Sequence, residues 1–354
     1  MDISINQLST QKVTNKSYGE VSNMKRFTFF VFIVFLFSFT VFAVPQKIAY
    51  VINGSLGDQS FYDSGYAGIK QLENDYGVQT RVIECNFDPS LYYPSLLTAA
   101  RWADVVFVIS YGFEEELKTI ATQFANKIFV NIDTVVEDEQ GIISNVDYIE
   151  EEGAFMAGVV AGIVTTMTEL EGINPQKLIG AVGGDDDIVI RSFVYGYEQG
   201  AHYIDPEIEV RTIYVGSWDD PAKGKQAALQ LYSQGVDVIF QIASLTGMGV
   251  LQAAQEVGKY AIGVDSNQNG LAPGYVITSD LKEVGKSIEL VFKDIVDGRY
   301  EPGTLYKLGL KSGAVSLAID EYTYKILPKE TVEKILQIQK NVVDGKIVVK
   351  EYRE

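Results

Sequence analysis

Short apolar runs alternate with amphipathic stretches from Gln46 onward, and this alternation constrains the fold more than any other feature of the chain. The first runs are KIAYVI, TRVIEC, DVVFVI and KIFVNID, and the segments between them have the spacing of helices. Strands that alternate with helices predict an α/β fold built on parallel sheets. No period of 20 to 50 residues repeats, which excludes a solenoid.

A second series of the same kind follows the first. Its strands are predicted at KLIGAVGG, EVRTIYV, DVIFQIA and YAIGVD, and a helix is predicted before or between each of them. Two successive α/β units of similar size predict two lobes. Because no Pro/Ser-rich linker separates them, we expect a hinge made of strands near residues 145–148.

The predicted organisation has five parts. Residues 46–145 with 280–300 form the first lobe, and residues 146–279 with 301–325 form the second. Residues 326–354 form a C-terminal helix and a tail in which KIVVKEY reads as a strand. Residues 24–43 form a signal peptide, and residues 1–23 are an extension that is absent if translation starts at Met24.

Residues 24–43 have the three regions of a secretory signal. Lys25 and Arg26 supply the positive charge, residues 27–42 are apolar, and Ala43 offers a cleavage site. The alternative is an uncleaved anchor, since about 18 apolar residues span a bilayer. No cysteine stands at the end of the apolar run to carry a lipid.

The chain is strongly acidic. Its formal charge is −18, and residues after Ala43 hold 25 basic and 45 acidic side chains, a charge of −20. Such an excess disfavours nucleic acid and anionic lipid surfaces as partners. The single cysteine, Cys85, cannot form an internal disulfide and is expected in the core.

Carboxylates stand in the loops after predicted strands. Ligands of open parallel sheets bind beyond the carboxyl ends of the strands. Asp133 and Asp265 directly end two strands, and Asp58 lies in the loop after the first. Each could accept hydrogen bonds from sugar hydroxyls. The alternative for each is a helix cap or a turn residue.

Phe61, in GDQSFYDSGYAG, begins the first predicted helix. It is either a core residue or an aromatic surface for a flat heterocycle beside the carboxylates. Phe193, Trp218 and Phe113 are further candidates for the opposite wall.

Several different kinds of site are excluded. The lone His202 has no partners for a catalytic triad or a metal site. DLKEVGKS lacks the first glycine of a phosphate loop. Residues 185–187 read as a solvated turn, and the acidic runs 114–116 and 150–152 are explained by the positive ends of helix dipoles. We predict no catalytic residue, metal or cofactor.

Long segments, in order, resemble the basic membrane protein family of ABC-importer solute-binding proteins, whose best-understood members are purine nucleoside receptors. The resemblance runs from Lys47 to about Leu317, and its segments are GDQSFYDSGYAGIK, FVNIDTVV, SNVDYIEEEGAFMAGVVAG, GAVGGDDDIVIRSFVYGYEQGAHYIDPEIEV, YVGSWDDPAKGKQAALQLYSQGVDVIFQIASLTGMGVLQAAQEVGKYAIGVDSNQ and ITSDLK.

The resemblance implies a type I periplasmic-binding-protein fold, with two doubly wound parallel-sheet lobes joined by a three-strand hinge. It implies that Phe61 stacks on the base and that Asp133, Asp265 and Lys282 are polar ligand contacts. Gly247 would let the backbone approach the ligand closely.

The chain departs from the family pattern at three places. Asn53 stands near the end of the first strand where the family has an aspartate, so contacts to the base edge differ because an amide also donates. Residues 243–247 read ASLTG where the family has AGGTG, and Tyr62 replaces an asparagine.

The implied function is capture of a purine nucleoside for an ABC permease and its ATPase, in the periplasm or an equivalent space. Carboxylates around one cleft favour an uncharged ligand. Riboflavin is the competing choice of ligand. Two further functions stay open on the sequence: a nucleoside hydrolase that uses Asp58 and Asp265, and a membrane-anchored sensor.

Overall fold

A computed structural model describes residues 44–109 and 112–353. The predicted signal peptide and the extension lie outside the described residues. The strands are β1 Lys47–Ile52, β2 Gln79–Glu84, β3 Val105–Ile109, β4 Ile128–Ile132, β5 Ile143–Tyr148, β6 Leu178–Gly183, β7 Glu209–Tyr214, β8 Val238–Ile242, β9 Tyr260–Asp265, β10 Val276–Lys282, β11 Leu305–Leu308 and β12 Val315–Leu317. The helices are α1 Phe61–Tyr76, α2 Tyr92–Trp102, α3 Glu114–Gln123, α4 Glu150–Thr165, α5 Ile188–Ile204, α6 Pro221–Ser233, α7 Ser244–Val257, α8 Val284–Val296, α9 Thr323–Ile326 and α10 Lys329–Val343.

The strands form two six-stranded sheets, confirming the predicted α/β class and its two lobes. The first sheet has the order β11-β5-β4-β3-β1-β2, and all its neighbouring strands are parallel. The second has the order β12-β10-β9-β8-β6-β7 and is parallel except for the pair β10–β12. We call each sheet with its helices a lobe. In each sheet the strand order changes direction at the strand that comes first in the chain, β1 or β6. A ligand crevice is expected at the carboxyl ends of the strands at that point.

Both faces of each sheet are covered by helices. In β3, Phe107 packs into one apolar cluster of the first lobe, while Val106 and Val108 pack into the other. This is the side-chain alternation of a strand buried on two sides. Cys85 is fully buried in the second of these clusters, as predicted.

The contact between helices α4 and α5 of the second lobe requires glycine. A Cβ on Gly200 of α5 would lie 1.9 Å from the carbonyl oxygen of Phe155 in α4, and a Cβ on Gly158 would lie 2.0 Å from that of Tyr197. Backbone atoms cannot move aside as a flexible side chain can, so these two helices pack backbone to backbone. The packing fixes the beginning of α4 beside the cleft described below.

The chain passes between the sheets three times, after β5, after β10 and between β11 and β12. The placement of the chain differs from the predicted boundaries at the ends of β5 and β10 and at the whole of β11: residues 146–148 lie in the first sheet and residues 280–282 in the second. Residues 301–325 were assigned to the second lobe, whereas β11 pairs in parallel with β5 of the first sheet. Its alternating exposed and half-buried residues give an edge strand too weak an apolar signal for prediction.

Two more elements differ from the prediction. Helix α7 begins at Ser244, so most of the segment 243–247, expected to bring backbone close to a ligand, is helical. The tail after α10 is not a strand: the backbone of Lys350 bonds with the Gln199 side chain, and the Tyr352 N–H donates to the Glu151 carboxylate at 2.6 Å. Side chains therefore satisfy this backbone in place of a neighbouring strand. Among the described helices, none has the length and apolar character to cross a bilayer.

Candidate ligand-binding cleft

A cavity of about 440 Å³ lies between the carboxyl ends of the two sheets. Each lobe contributes residues that directly follow or end a strand. Asn53 and Asp133 follow β1 and β4 in the first lobe, while Ser244, Asp265 and Lys282 stand at the ends of β8, β9 and β10 in the second. This volume is typical of a small-molecule site. The cavity therefore lies at the edge of both sheets at which the sequence analysis placed the candidate residues.

Six aromatic rings line the cavity. The first lobe contributes Phe61, Tyr62, Phe87 and Tyr92, and the second contributes Phe193 and Trp218. Phe61 is half-buried at the first position of α1; it lines the cavity and also packs against the apolar core of the first lobe. Of the wall candidates, Phe113 differs: it is buried against Tyr92, with ring centroids 4.4 Å apart, and is not among the lining residues.

The strand-end carboxylates have strained backbone. Asp133 has a φ of 87° and Asp265 a φ of 62°, and Ser244 and Gln59 beside the cleft also have positive φ. This region is unfavourable for residues other than glycine, and strained residues concentrate at functional sites. The conformation carries each carboxylate from the strand end into the cavity wall.

Lys282 is the cation of the cleft and is 3% exposed. Its ammonium donates to the carboxylates of Asp133 and Glu150, the latter at 3.0 Å. It also lies 4.9 Å from the ring centroid of Phe193 and 5.6 Å from that of Phe61. Asp133 and Lys282 belong to different sheets, so this ion pair connects the lobes.

The loop before α1 is hydrogen-bonded to the second lobe. The Ser60 hydroxyl donates to Asp265 Oδ2 at 2.5 Å, and the Ser266 hydroxyl donates to the Ser60 carbonyl at 3.0 Å. The Gln268 amide donates to the Gln59 carbonyl at 3.1 Å. These contacts hold the lobes together at one side of the cavity.

Asp58 has a different role from the predicted one. Its carboxylate accepts the backbone N–H groups of Ser60, Tyr62 and Asp63, and the Ser244 hydroxyl donates to it at 2.9 Å. It is buried and is not among the residues that line the cavity. Helix capping therefore replaces ligand contact for Asp58: it satisfies the free donors at the start of α1.

Gly247 also lies away from the cavity lining. It is in the first turn of α7, and a Cβ there would lie 1.7 Å from Oε1 of the buried Gln241. The predicted close approach of backbone to ligand is replaced by close approach to this amide. Ala243 and Ser244, at the start of the same segment, line the cavity instead.

Glu150 belongs to the site although the sequence analysis explained it as a charge at a helix beginning. It is 6% exposed, and burial raises the pKa of its carboxyl well above the ordinary value, against the lowering effect of Lys282. The sequence signal that could have identified Glu150 was its position just after the strand predicted to form the hinge. A charged side chain at a crossing between lobes can contact residues of the cleft as well as the end of its own helix.

The pKa of Asp265 gives a pH prediction. Burial raises this pKa to about 7, although Lys282 and the Ser60 hydroxyl lower it. Because the folded protein holds this proton more tightly than the unfolded chain, its contribution to stability is complete below about pH 4 and is lost as the pH rises through 7. We expect the unfolding free energy to fall from pH 5 to pH 8, and Asp265→Asn to make that fall shallower in denaturant titrations. Equal slopes in the two proteins would contradict the assignment.

Within residues 44–109 and 112–353, no cluster of His, Cys, Asp or Glu has the arrangement of a metal site. The chemistry of the cleft is that of a binding site: acceptors, one cation and aromatic faces.

Two lobes around such a cleft define a solute-binding protein of the type I class, and related proteins identify the family. A family model described as ABC transporter substrate-binding protein PnrA-like matches residues 45–353. The chain therefore belongs to this family. Its members are binding proteins of ABC importers, which act outside the cytoplasm and pass a small molecule to a permease and its ATPase; they are not enzymes.

Related sequences support the same family assignment. The chain is 30% identical over 308 residues to basic membrane protein A of Borreliella afzelii, covering 86% of this chain and 91% of that protein. It is 31% identical over 310 residues to basic membrane protein D of Borreliella burgdorferi strain JD1, covering 86% and 87%.

Solved structures confirm the fold. An ABC transporter solute-binding protein from Aeropyrum pernix K1 superposes with a TM-score of 0.78 at 23% identity, covering 88% of this chain and 94% of that one. A myo-inositol binding protein from Caulobacter superposes with a TM-score of 0.59 at 16% identity, covering 81% and 97%. At these identities the likeness is one of fold, since one fold carries many functions.

Proposed function

We propose that this protein captures a purine nucleoside in the cleft between its lobes and delivers it to an ABC permease. One observation carries the proposal: aromatic rings from both lobes and strand-end carboxylates line the same cavity. Phe61 and Phe193 come from opposite lobes and both lie within 5.6 Å of the Lys282 ammonium. A flat base fits between such rings, and a ribose offers the hydroxyls that carboxylates accept.

The charge of the cleft supports a neutral nucleoside over a nucleotide. Asp133, Asp185, Asp187 and Asp265 line the cavity beside one cation, Lys282. Two like charges about 4 Å apart repel by about 4 kcal/mol at an effective dielectric of about 20. Lys282 is already paired with Asp133 and Glu150. A phosphate would therefore meet uncompensated carboxylates.

Capture is a hinge motion in this proposal. The three crossings between the sheets would bend, and the bonds from Ser60 and Gln268 would break as the lobes separate. A ligand that contacts both lobes stabilises the closed form. Residues 24–43 would act as the export signal, with cleavage after Ala43.

The test is calorimetric titration of the protein, unfolded and refolded to remove bound solutes. Adenosine, inosine and guanosine are the probes, and adenosine monophosphate, uridine and riboflavin are the comparisons. We expect a purine nucleoside to bind at least about tenfold more tightly than its monophosphate. Binding of none of the three nucleosides would refute the proposal, and tight riboflavin binding would replace it with a flavin receptor.

A further inference from the structure

Lys282 is held by two carboxylates that come from different parts of the chain. Asp133 follows β4 in the first lobe, and Glu150 is the first residue of α4, directly after the crossing to the second lobe. In the described part of the chain, these are the two carboxylates that accept hydrogen bonds from the Lys282 ammonium.

An ammonium has three N–H donors, which point in fixed relative directions. When two of them are bound to Asp133 and Glu150, the direction of the third is determined. Three ring centroids lie near the same nitrogen: Phe61 at 5.6 Å and Phe193 at 4.9 Å, which line the cavity, and Tyr148 at 4.9 Å, which does not. Because Lys282 itself lines the cavity, its third donor is the one that a ligand acceptor beside Phe61 and Phe193 would meet.

Glu150 itself is not a lining residue of this cavity, although Lys282 and Asp133 are. It lines an adjoining cavity with Asp133 and Asp187, is 6% exposed, and belongs to the helix whose place is fixed by the backbone contact with α5. Asp133, in contrast, belongs to the lobe that moves relative to α4 when the cleft opens. Glu150 is the partner that can hold Lys282 in both the open and the closed form.

We propose that Glu150 is a positioning residue of the binding site: it orients the Lys282 ammonium toward the ligand without touching the ligand. The inference rests on the proposed function, because its readout is nucleoside affinity. Charge balance supports it as well. Asp133, Asp265 and Asp280 also act on Lys282 or Glu150, so one cation serves several buried carboxyls and needs a fixed anchor.

Two substitutions separate position from charge. Glu150→Ala removes the acceptor, and we expect it to weaken binding of the tightest purine nucleoside by about tenfold. Glu150→Gln keeps an oxygen of the same reach, and we expect affinity within about threefold of wild type. Glu151→Ala is the matched control, because Glu151 is 5% exposed on the same turn but accepts from Tyr352 in the tail.

A double-mutant cycle tests whether Glu150 acts through Lys282. In a Lys282→Met background, Glu150→Ala is expected to cause no further loss of affinity, since the group it positions is absent. Thermal melts confirm that each variant is folded. Equal losses in Glu150→Ala and Glu151→Ala, unchanged affinity in Glu150→Ala, or additive losses in the cycle would each overturn this inference while leaving the proposed function intact. A wild-type protein that binds no nucleoside refutes the proposed function, and this inference with it.

Discussion

Replacing Lys282 by methionine is expected to lower the free energy of unfolding by about 3 to 5 kcal/mol at neutral pH. Methionine fills a similar volume but leaves the carboxylates of Asp133 and Glu150 without their cation, and both are less than 10% exposed. A buried charge that loses its partner keeps its full desolvation cost. Denaturant unfolding of wild type and variant measures the difference.

The loss should shrink as the pH falls, because burial raises the pKa of Glu150 and protonation neutralises that carboxyl. Lys286→Met is the control: this lysine pairs with Glu283 on the exposed side of α8, with 63% of its side chain accessible. We expect that change to stay within about 0.5 kcal/mol of wild type. A Lys282 variant as stable as the Lys286 variant at neutral pH would show that the buried ion pairs do not hold the lobes.

Phe61→Ala is expected to weaken nucleoside binding by about 1 to 3 kcal/mol, the range for loss of a stacking ring. The side chain is half-buried at the first helical position, so its removal leaves no large internal cavity. Calorimetric titration with the tightest purine nucleoside gives the change in affinity. Phe61→Tyr, which keeps a ring of the same kind, should retain most of the wild-type affinity.

Phe124→Ala supplies the comparison for loss of a ring elsewhere. Phe124 packs against the apolar cluster under α2 and α3 and does not line the cavity. We expect Phe124→Ala to reduce the stability of the protein and to leave its affinity for the nucleoside unchanged. If Phe61→Ala binds as tightly as wild type in a folded protein, Phe61 is not a stacking surface.

The strands and helices were largely predictable because both lobes repeat one pattern. Runs such as KIAYVI and YAIGVD are apolar except for one charged residue at an end, as is typical of strands covered on both faces, and they match β1 and β9 residue for residue. The tail KIVVKEY has the same local pattern but bonds to side chains of α5 and α4. Local pattern cannot distinguish a strand from an extended segment that has no sheet edge to join.

The sheet edge that carries the candidate site was predictable, but the hydrogen-bond partners of the individual carboxylates at that edge were not. Asp133 and Asp265 were identified because they end strands. Asp58 has the same chemistry and lies near the same cleft, yet its carboxylate faces the start of α1. Glu150 is the opposite case, since a helix-beginning charge reaches the cation of the cleft. Which of two neighbours a carboxylate meets depends on tertiary packing.

Crystals grown with the tightest-binding purine nucleoside test the central claim most directly. The account predicts the base between the rings of Phe61 and Phe193, with the sugar hydroxyls within hydrogen-bond distance of Asp265 and the Lys282 ammonium. A cleft without the nucleoside at saturating concentration, or a nucleoside bound outside the cavity between the two sheets, would contradict it.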